Sequence, residues 1–173
     1  MDSQEQVPDR SEWLREVVRD HEPSLLRYAL SLTGDVEAAR DAVQEAFLEL
    51  VMNASRIDRA RPAPWLFTVC RARAIDRARR EARMKARPPE EMAALASPAP
   101  APEALAEGRE AAAQAVRVLA MLPPKEREVV RLRFQQGLSY KEIASVTGQS
   151  VSHVGVLIHE AMGRLRDLLE RRP

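Results

Sequence analysis

Cysteine occurs once among the 173 residues, so no internal disulfide can form. Cys70 stands between Val69 and Arg71 in a helical pattern and is expected to be a small buried apolar residue. Aromatic side chains make up 4% of the chain and β-branched runs are scarce, which argues against a sheet. Nowhere do eighteen apolar residues run together, and the N-terminus, MDSQEQVPDRSEW, is polar and acidic with no apolar stretch behind a basic start. Neither a membrane span nor a secretory signal is expected, which points to the cytoplasm. There are three histidines, His21, His153 and His159, and the last two stand about 240° apart around a helix. With no cysteine pair and no glycine-rich phosphate loop beside them, no metal site, cofactor or catalytic centre is expected, and the chain does not read as an enzyme.

What is present favours helix. Ala, Leu, Arg and Glu dominate, and 45% hydrophobic content is enough for real cores. The expected fold class is all-α, with two small helical domains joined by a Pro/Ala-rich linker.

Residues 138–165, LSYKEIASVTGQSVSHVGVLIHEAMGRL, read as two short helices around a glycine turn, the build of a helix-turn-helix. Ser139 and Glu142 have the spacing of a capping box, Ile143, Ala144 and Val146 supply a buried side, and Gly148 breaks the helix. Ser150 suits the next N-cap. Beyond it Val151, Val154, Ile158, Ala161 and Leu165 recur at helical spacing, leaving Ser152, His153, Gly155, Val156 and His159 outward, where a DNA major groove would meet them. Leu157, Glu160 and Met162 are also expected outward.

Charge is unevenly spread although the net is +1. Residues 71–87 hold eight basic and two acidic side chains, whereas 1–70 holds eight and thirteen, and 88–110 one and five. A stripe with Arg71, Arg73, Arg77, Arg79, Arg80, Arg83, Lys85 and Arg87 is what a phosphate backbone attracts through counterion release.

Punctuation divides the chain into 1–87, 88–107 and 108–173. Pro23 suits the start of a helix carrying Leu25, Leu26, Tyr28, Ala29 and Leu32, which Thr33-Gly34-Asp35 ends. The following helix places Val36, Ala39, Val43, Ala46, Phe47 and Leu50 on one side and Asp41, Gln44, Glu45 and Glu49 on the other. A basic connection, Arg56 to Pro64, precedes a long helix opening near Trp65, with Trp65, Leu66, Val69 and Cys70 towards a core. Residues 88–107, PPEEMAALASPAPAPEALAE, have linker composition, and their glutamates are expected to lie against the arginine stripe in the free chain. A helix bearing Ala112, Ala115, Val116, Leu119 and Leu122 follows. Pro123-Pro124 then starts another with Val129, Val130, Leu132 and Phe134, stopped by Gly137. No further regulatory domain is expected after the helix-turn-helix.

Three stretches in this order carry a resemblance: DVEAARDAVQEAFLEL at 35–50, WLFTVCRARAIDRARR at 65–80 and LPPKEREVVRLRFQQGLSYKEIASVTGQSVSHV at 122–154. Together they resemble the extracytoplasmic-function (ECF) sigma factors of bacterial RNA polymerase. The resemblance implies an N-terminal domain that binds core polymerase and opens the promoter at the minus-ten element, and a C-terminal domain that reads the minus-thirty-five element. It implies that Asp41, Gln44, Glu45 and Leu48 dock on the clamp helices of the largest polymerase subunit. Arg56, Arg59, Arg61 and Trp65 fall where the family captures bases. Arg71, Arg73, Arg77 and Arg80 fall on its basic helix along the melted region. Where the family usually has Asn, this chain has Ala72, which removes an amide donor and acceptor. Minus-thirty-five contacts are assigned to Lys141, Ser150, Ser152, His153, Gly155, Val156, His159 and Arg164, with Arg166 on phosphate; the reading helix is poor in cations, so thymine-methyl contact by Val156 is expected to matter. Promoter DNA, both double-stranded and melted, is the expected ligand. An anti-sigma factor is a further candidate partner, covering exposed Val156 and Leu157, and the free chain is expected to be monomeric. Two alternatives stay open: a helix-turn-helix regulator that is not a polymerase subunit, and an interaction module that never reads DNA.

Overall fold

In the computed structural model, residues 9–84 and 114–170 are described; the 88–107 segment and its expected contact with the arginine stripe lie outside them. Among these residues all regular structure is helical. The N-terminal unit has α1 (Arg10–Thr33), α2 (Val36–Asn53) and α3 (Ala63–Met84), each packed on the other two. Gly34, at φ 70°, ends α1 and donates its N–H to Leu30 O, and Asp35 caps α2 by accepting from Ala38 N at 2.8 Å. Ala39, Ala42 and Ala46 are fully buried on α2, so small side chains let the three helices approach closely around Leu25, Leu50, Leu66, Phe67 and Cys70. Tyr28 and Phe67 meet edge to face, with ring centroids 5.2 Å apart.

Pro23 does not start a helix as its local chemistry suggests; it lies inside α1. Trp13 and Val17 before it and Leu25 and Tyr28 after it continue one buried stripe, and that burial outweighs the cost of about 3 kcal/mol for an interior proline. The Arg19 carbonyl, which loses its donor, belongs to an exposed residue that water can reach. Helix α3 begins at Ala63, slightly before Trp65, because Pro64 fits a first helical turn. Val36 is exposed, contrary to its expected side of α2.

The C-terminal unit contains helical residues 114–120 (α4), α5 (Pro124–Val130), which widens into a π-helical turn over Arg131–Gln135, α6 (Tyr140–Thr147) and α7 (Val151–Glu170). Arg127 ties α4 to α5, donating to the carbonyls of Ala120 and Leu122 at 2.7 and 2.9 Å. Within the π turn Leu132 is buried and Phe134 is exposed. Leu122, Val130 and Ala161 form a small core, with Leu119 and Leu165 against it. The two units are not separate in space: α3 packs against α6, and one buried cluster runs from Leu25 and Phe67 through to Ile143 and Leu157.

Candidate polymerase and nucleic-acid interfaces

The acidic face of α2 is divided by its neighbours. Gln44 and Leu48 are exposed on the rim of an open groove of about 590 Å³, walled by Leu26, Val43, Phe47 and Val51. Leu48 is 57% exposed, an apolar side chain that nothing in the fold requires at the surface. Asp41 and Glu45 turn towards α3 instead. Arg77 binds both, with Nη1 2.9 Å from Asp41 Oδ2 and Nη2 on Glu45, while Arg73 engages Glu49 and lies 3.5 Å from Glu45. The sequence places four residues on one free surface; the fold leaves two of them free and neutralises the other two.

The loop between α2 and α3 is held from below. Trp13 Nε1 donates to Arg59 O at 3.1 Å, and the Arg59 guanidinium lies over the Trp13 ring at 5.4 Å. Asp58 accepts from Ala60 N within the turn. Arg56 remains exposed. Trp65 is partly buried against the core rather than free as a stacking platform, because its place on α3 turns it towards the same packed side as Val69.

Along α3 the arginines separate into bound and free. Arg71 is half-buried and reaches Glu128 of α5, with Nε 2.8 Å from Oε1 and Nη2 3.4 Å from Oε2. The hydroxyl of Tyr28 donates to the same Oε1 at 2.7 Å. Burial, with the Glu128 charge behind it, pushes the Tyr28 hydroxyl well above its ordinary pKa, so it remains a donor. Arg71 loses from burial but gains more from Glu128, and its pKa is raised. Arg61 is paired too, its Nη2 2.7 Å from Glu142 Oε1. Arg80 and Ala72 face solvent. The residue missed from sequence is Glu128. Its partners lie 57 and 100 positions away, and the one available signal was Tyr28, a hydroxyl on a buried stripe that needs an acceptor.

The helix-turn-helix is locally determined. Glu142 N donates to Ser139 Oγ and Ser139 N to Glu142 Oε2, at 3.3 and 2.7 Å, completing the capping box. Gly148, at φ 71°, ends α6, and Ser150 Oγ accepts from His153 N at 3.1 Å. Val154, Leu157, Ile158 and Ala161 are buried on α7. Leu157, expected outward, is therefore inward: it lies three residues after Val154 and four before Ala161, on the same stripe. Val151 is exposed instead, in the first turn. Ser152, His153, Val156 and His159 all face solvent, and Val156 is half exposed. A β-carbon on Gly155 would lie 3.7 Å from Tyr140 Cε2, and Arg133 stands over that ring at 5.5 Å. Lys141 is free at the surface, but Arg164 pairs with buried Glu126, Nε to Oε2 3.0 Å, which fastens α7 to α5.

Residues 17–84 match the family described as Sigma-70 region 2, and residues 112–165 that described as Sigma-70, region 4. The ECF RNA polymerase sigma factor SigD of Mycobacterium tuberculosis is 32% identical, over 89% of this chain and 76% of the relative. SigL of the same organism is 35% identical over 91% of this chain and 89% of the relative. The chain belongs to the ECF RNA polymerase sigma factors. This sigma factor thus serves promoter-specific initiation, with core RNA polymerase and promoter DNA as its partners, rather than acting as a free-standing helix-turn-helix regulator. Among solved structures it is similar to CnrH in complex with the cytosolic domain of CnrY, at 25% identity and TM-score 0.59 over 92% of this chain and 89% of that one. The fold also matches the sigma factor RpoE in complex with the anti-sigma factor NepR from Bartonella quintana, at TM-score 0.69 and 21% identity over 92% and 98%. Among the described residues no helix is long and apolar enough to cross a membrane, and no group of three or more His, Cys, Asp or Glu is placed to hold a metal.

Proposed function

We propose that this sigma factor divides its work between a polymerase-binding, strand-capturing unit over residues 1–87 and a minus-thirty-five reader over 108–173, tethered by 88–107. The observation that carries the second half is the free outer face of α7, where Ser152, His153, Val156 and His159 stand exposed on a helix fixed from behind by Val154, Leu157, Ile158 and Ala161. Ser150, Gly155 and Lys141 complete that surface. Arg164 reaches phosphate only if it leaves Glu126.

The groove beside Leu48 and Gln44 receives the polymerase clamp helices. Asp41 and Glu45 join when polymerase cations replace Arg77. That exchange releases Arg77 towards DNA while Arg73 stays on Glu49, so binding polymerase and binding the melted strand support one another. Arg56, Arg59 and Arg61 hold phosphates of the displaced strand, Trp65 lines the edge of a base site, and Arg71, Arg73, Arg77 and Arg80 follow the backbone. Opening is driven by preferring the separated strand to the duplex, with no catalytic residue, cofactor or nucleotide hydrolysis by the sigma factor. It works in the cytoplasm as a monomer before joining polymerase, and an anti-sigma factor is a natural third partner. Association with core polymerase, followed by run-off transcription from a promoter library, tests this reading. A chain that associates but starts at no preferred site removes the minus-thirty-five assignment.

A further inference from the structure

Two arginines of the proposed strand-capturing surface are held by carboxylates of the other unit. Arg71 makes a forked contact with Glu128, and Arg61 pairs with Glu142. The first contact is built like an interior site: Glu128 is 9% exposed, Arg71 24%, and Tyr28, 3% exposed, donates to the carboxylate from a third helix. On one side of it α3 packs against α6 in one continuous apolar core, and on the other Lys125, Arg127 and Arg131 line an open cleft beside Glu128. An arginine fork that fits a carboxylate in two places also fits a phosphate.

We propose that Glu128 is an internal phosphate mimic, a latch that occupies Arg71 and keeps the free chain closed until the C-terminal unit swings away. The inference rests on the assignment of Arg61 and Arg71 to strand capture. Glu128 sits on α5 and cannot withdraw alone, because Arg164–Glu126 and the small core of Leu122, Val130 and Ala161 join α5 to α7. Glu128 therefore withdraws from Arg71 only when the whole helix-turn-helix unit leaves α3. The outer face of α7 stays open throughout, so the closed chain withholds strand capture while leaving the upstream reader exposed. A free sigma factor built this way avoids gripping single strands away from polymerase.

The test uses the full chain with one dye each at Arg19→Cys and Glu160→Cys, both exposed; Cys70 is buried, with its thiol pushed up to about 12, and stays unlabelled. Energy transfer reports the distance between units, and a fluorescent mixed-sequence DNA single strand reports capture. Glu128→Gln is expected to lengthen the distance and raise single-strand affinity about tenfold, since a charge-assisted contact is lost on a half-buried arginine. Tyr28→Phe, which keeps the ring, is expected to shift both readings in the same direction by less. Both variants should keep wild-type helicity and support transcription with core polymerase. Unchanged distance and unchanged affinity in both variants overturn the latch. If the wild-type chain fails to direct transcription at all, the functional reading fails, and the distance shift still decides whether the latch exists.

Discussion

Arg77 of α3 bridges Asp41 and Glu45 of α2, one guanidinium holding two carboxylates one turn apart. The bridge separates the acidic pair from Gln44 and Leu48 on the same helix. Leu48 then carries the clearest prediction for polymerase binding. Because its side chain is mostly exposed, Leu48→Ala should change stability by no more than about 0.5 kcal/mol. It should nevertheless weaken core association about tenfold, as expected of an apolar anchor. Equilibrium unfolding and a polymerase binding titration on the same sample check both halves.

Gly155 offers a second separation of stability from function. A β-carbon there meets Tyr140 at ordinary contact distance, so Gly155→Ala should fit and should stabilise α7 by about 0.5–1 kcal/mol through helix propensity. If the small residue admits close approach to the groove, the same change lowers promoter-dependent transcription. A stabler variant with full promoter preference would remove Gly155 from the reading surface.

His153→Ala with Val156→Ala removes the most conspicuous polar group and an exposed methyl contact from that face without touching the core. Stability should hold within about 0.5 kcal/mol per site, while upstream sequence preference in a run-off panel falls. An unchanged preference would show that another element reads the upstream DNA.

Ser139→Ala breaks the capping box and should cost about 1 kcal/mol. Partial burial opposes ionisation of Glu142, but the Ser139 N–H and hydroxyl, with the Arg61 charge, outweigh it and hold this carboxyl below its ordinary value. A carboxyl lowered by folding adds stability above its unfolded pKa and loses it as pH falls through the folded one. The stability gap between wild type and Glu142→Gln should therefore be full at neutral pH and shrink below about pH 4.5, the ordinary value. Denaturant melts across that range measure it.

What could be read from the sequence was local. Ser139 with Glu142, Gly148, Asp35 and the stripe Val154–Ile158–Ala161 each act within a few residues, and each forms as their spacing requires. Pro23 misled because its helix is sustained by tertiary burial on both sides rather than by local propensity. Leu157 misled because the expected stripe runs through Val151 and Leu165, whereas the buried one drops exposed Val151 and takes in Leu157 beside Val154, Ile158 and Ala161. The site residues were legible as a composition of arginines and acids, but not their pairing. Arg71 with Glu128, Arg73 with Glu49 and Arg77 with Asp41 are contacts between different helices, beyond the reach of local spacing, and charge counts say nothing of which cation meets which carboxylate.

The central claim is that this chain confers promoter choice on polymerase. Transcription reconstituted from purified core enzyme, this sigma factor and a library of promoter fragments measures it directly. Initiation is predicted from a subset sharing an upstream and a downstream element at fixed spacing, and it should fall up to about tenfold when Leu48→Ala weakens association at limiting sigma concentration. Core enzyme that initiates no differently with the sigma factor present would contradict the claim.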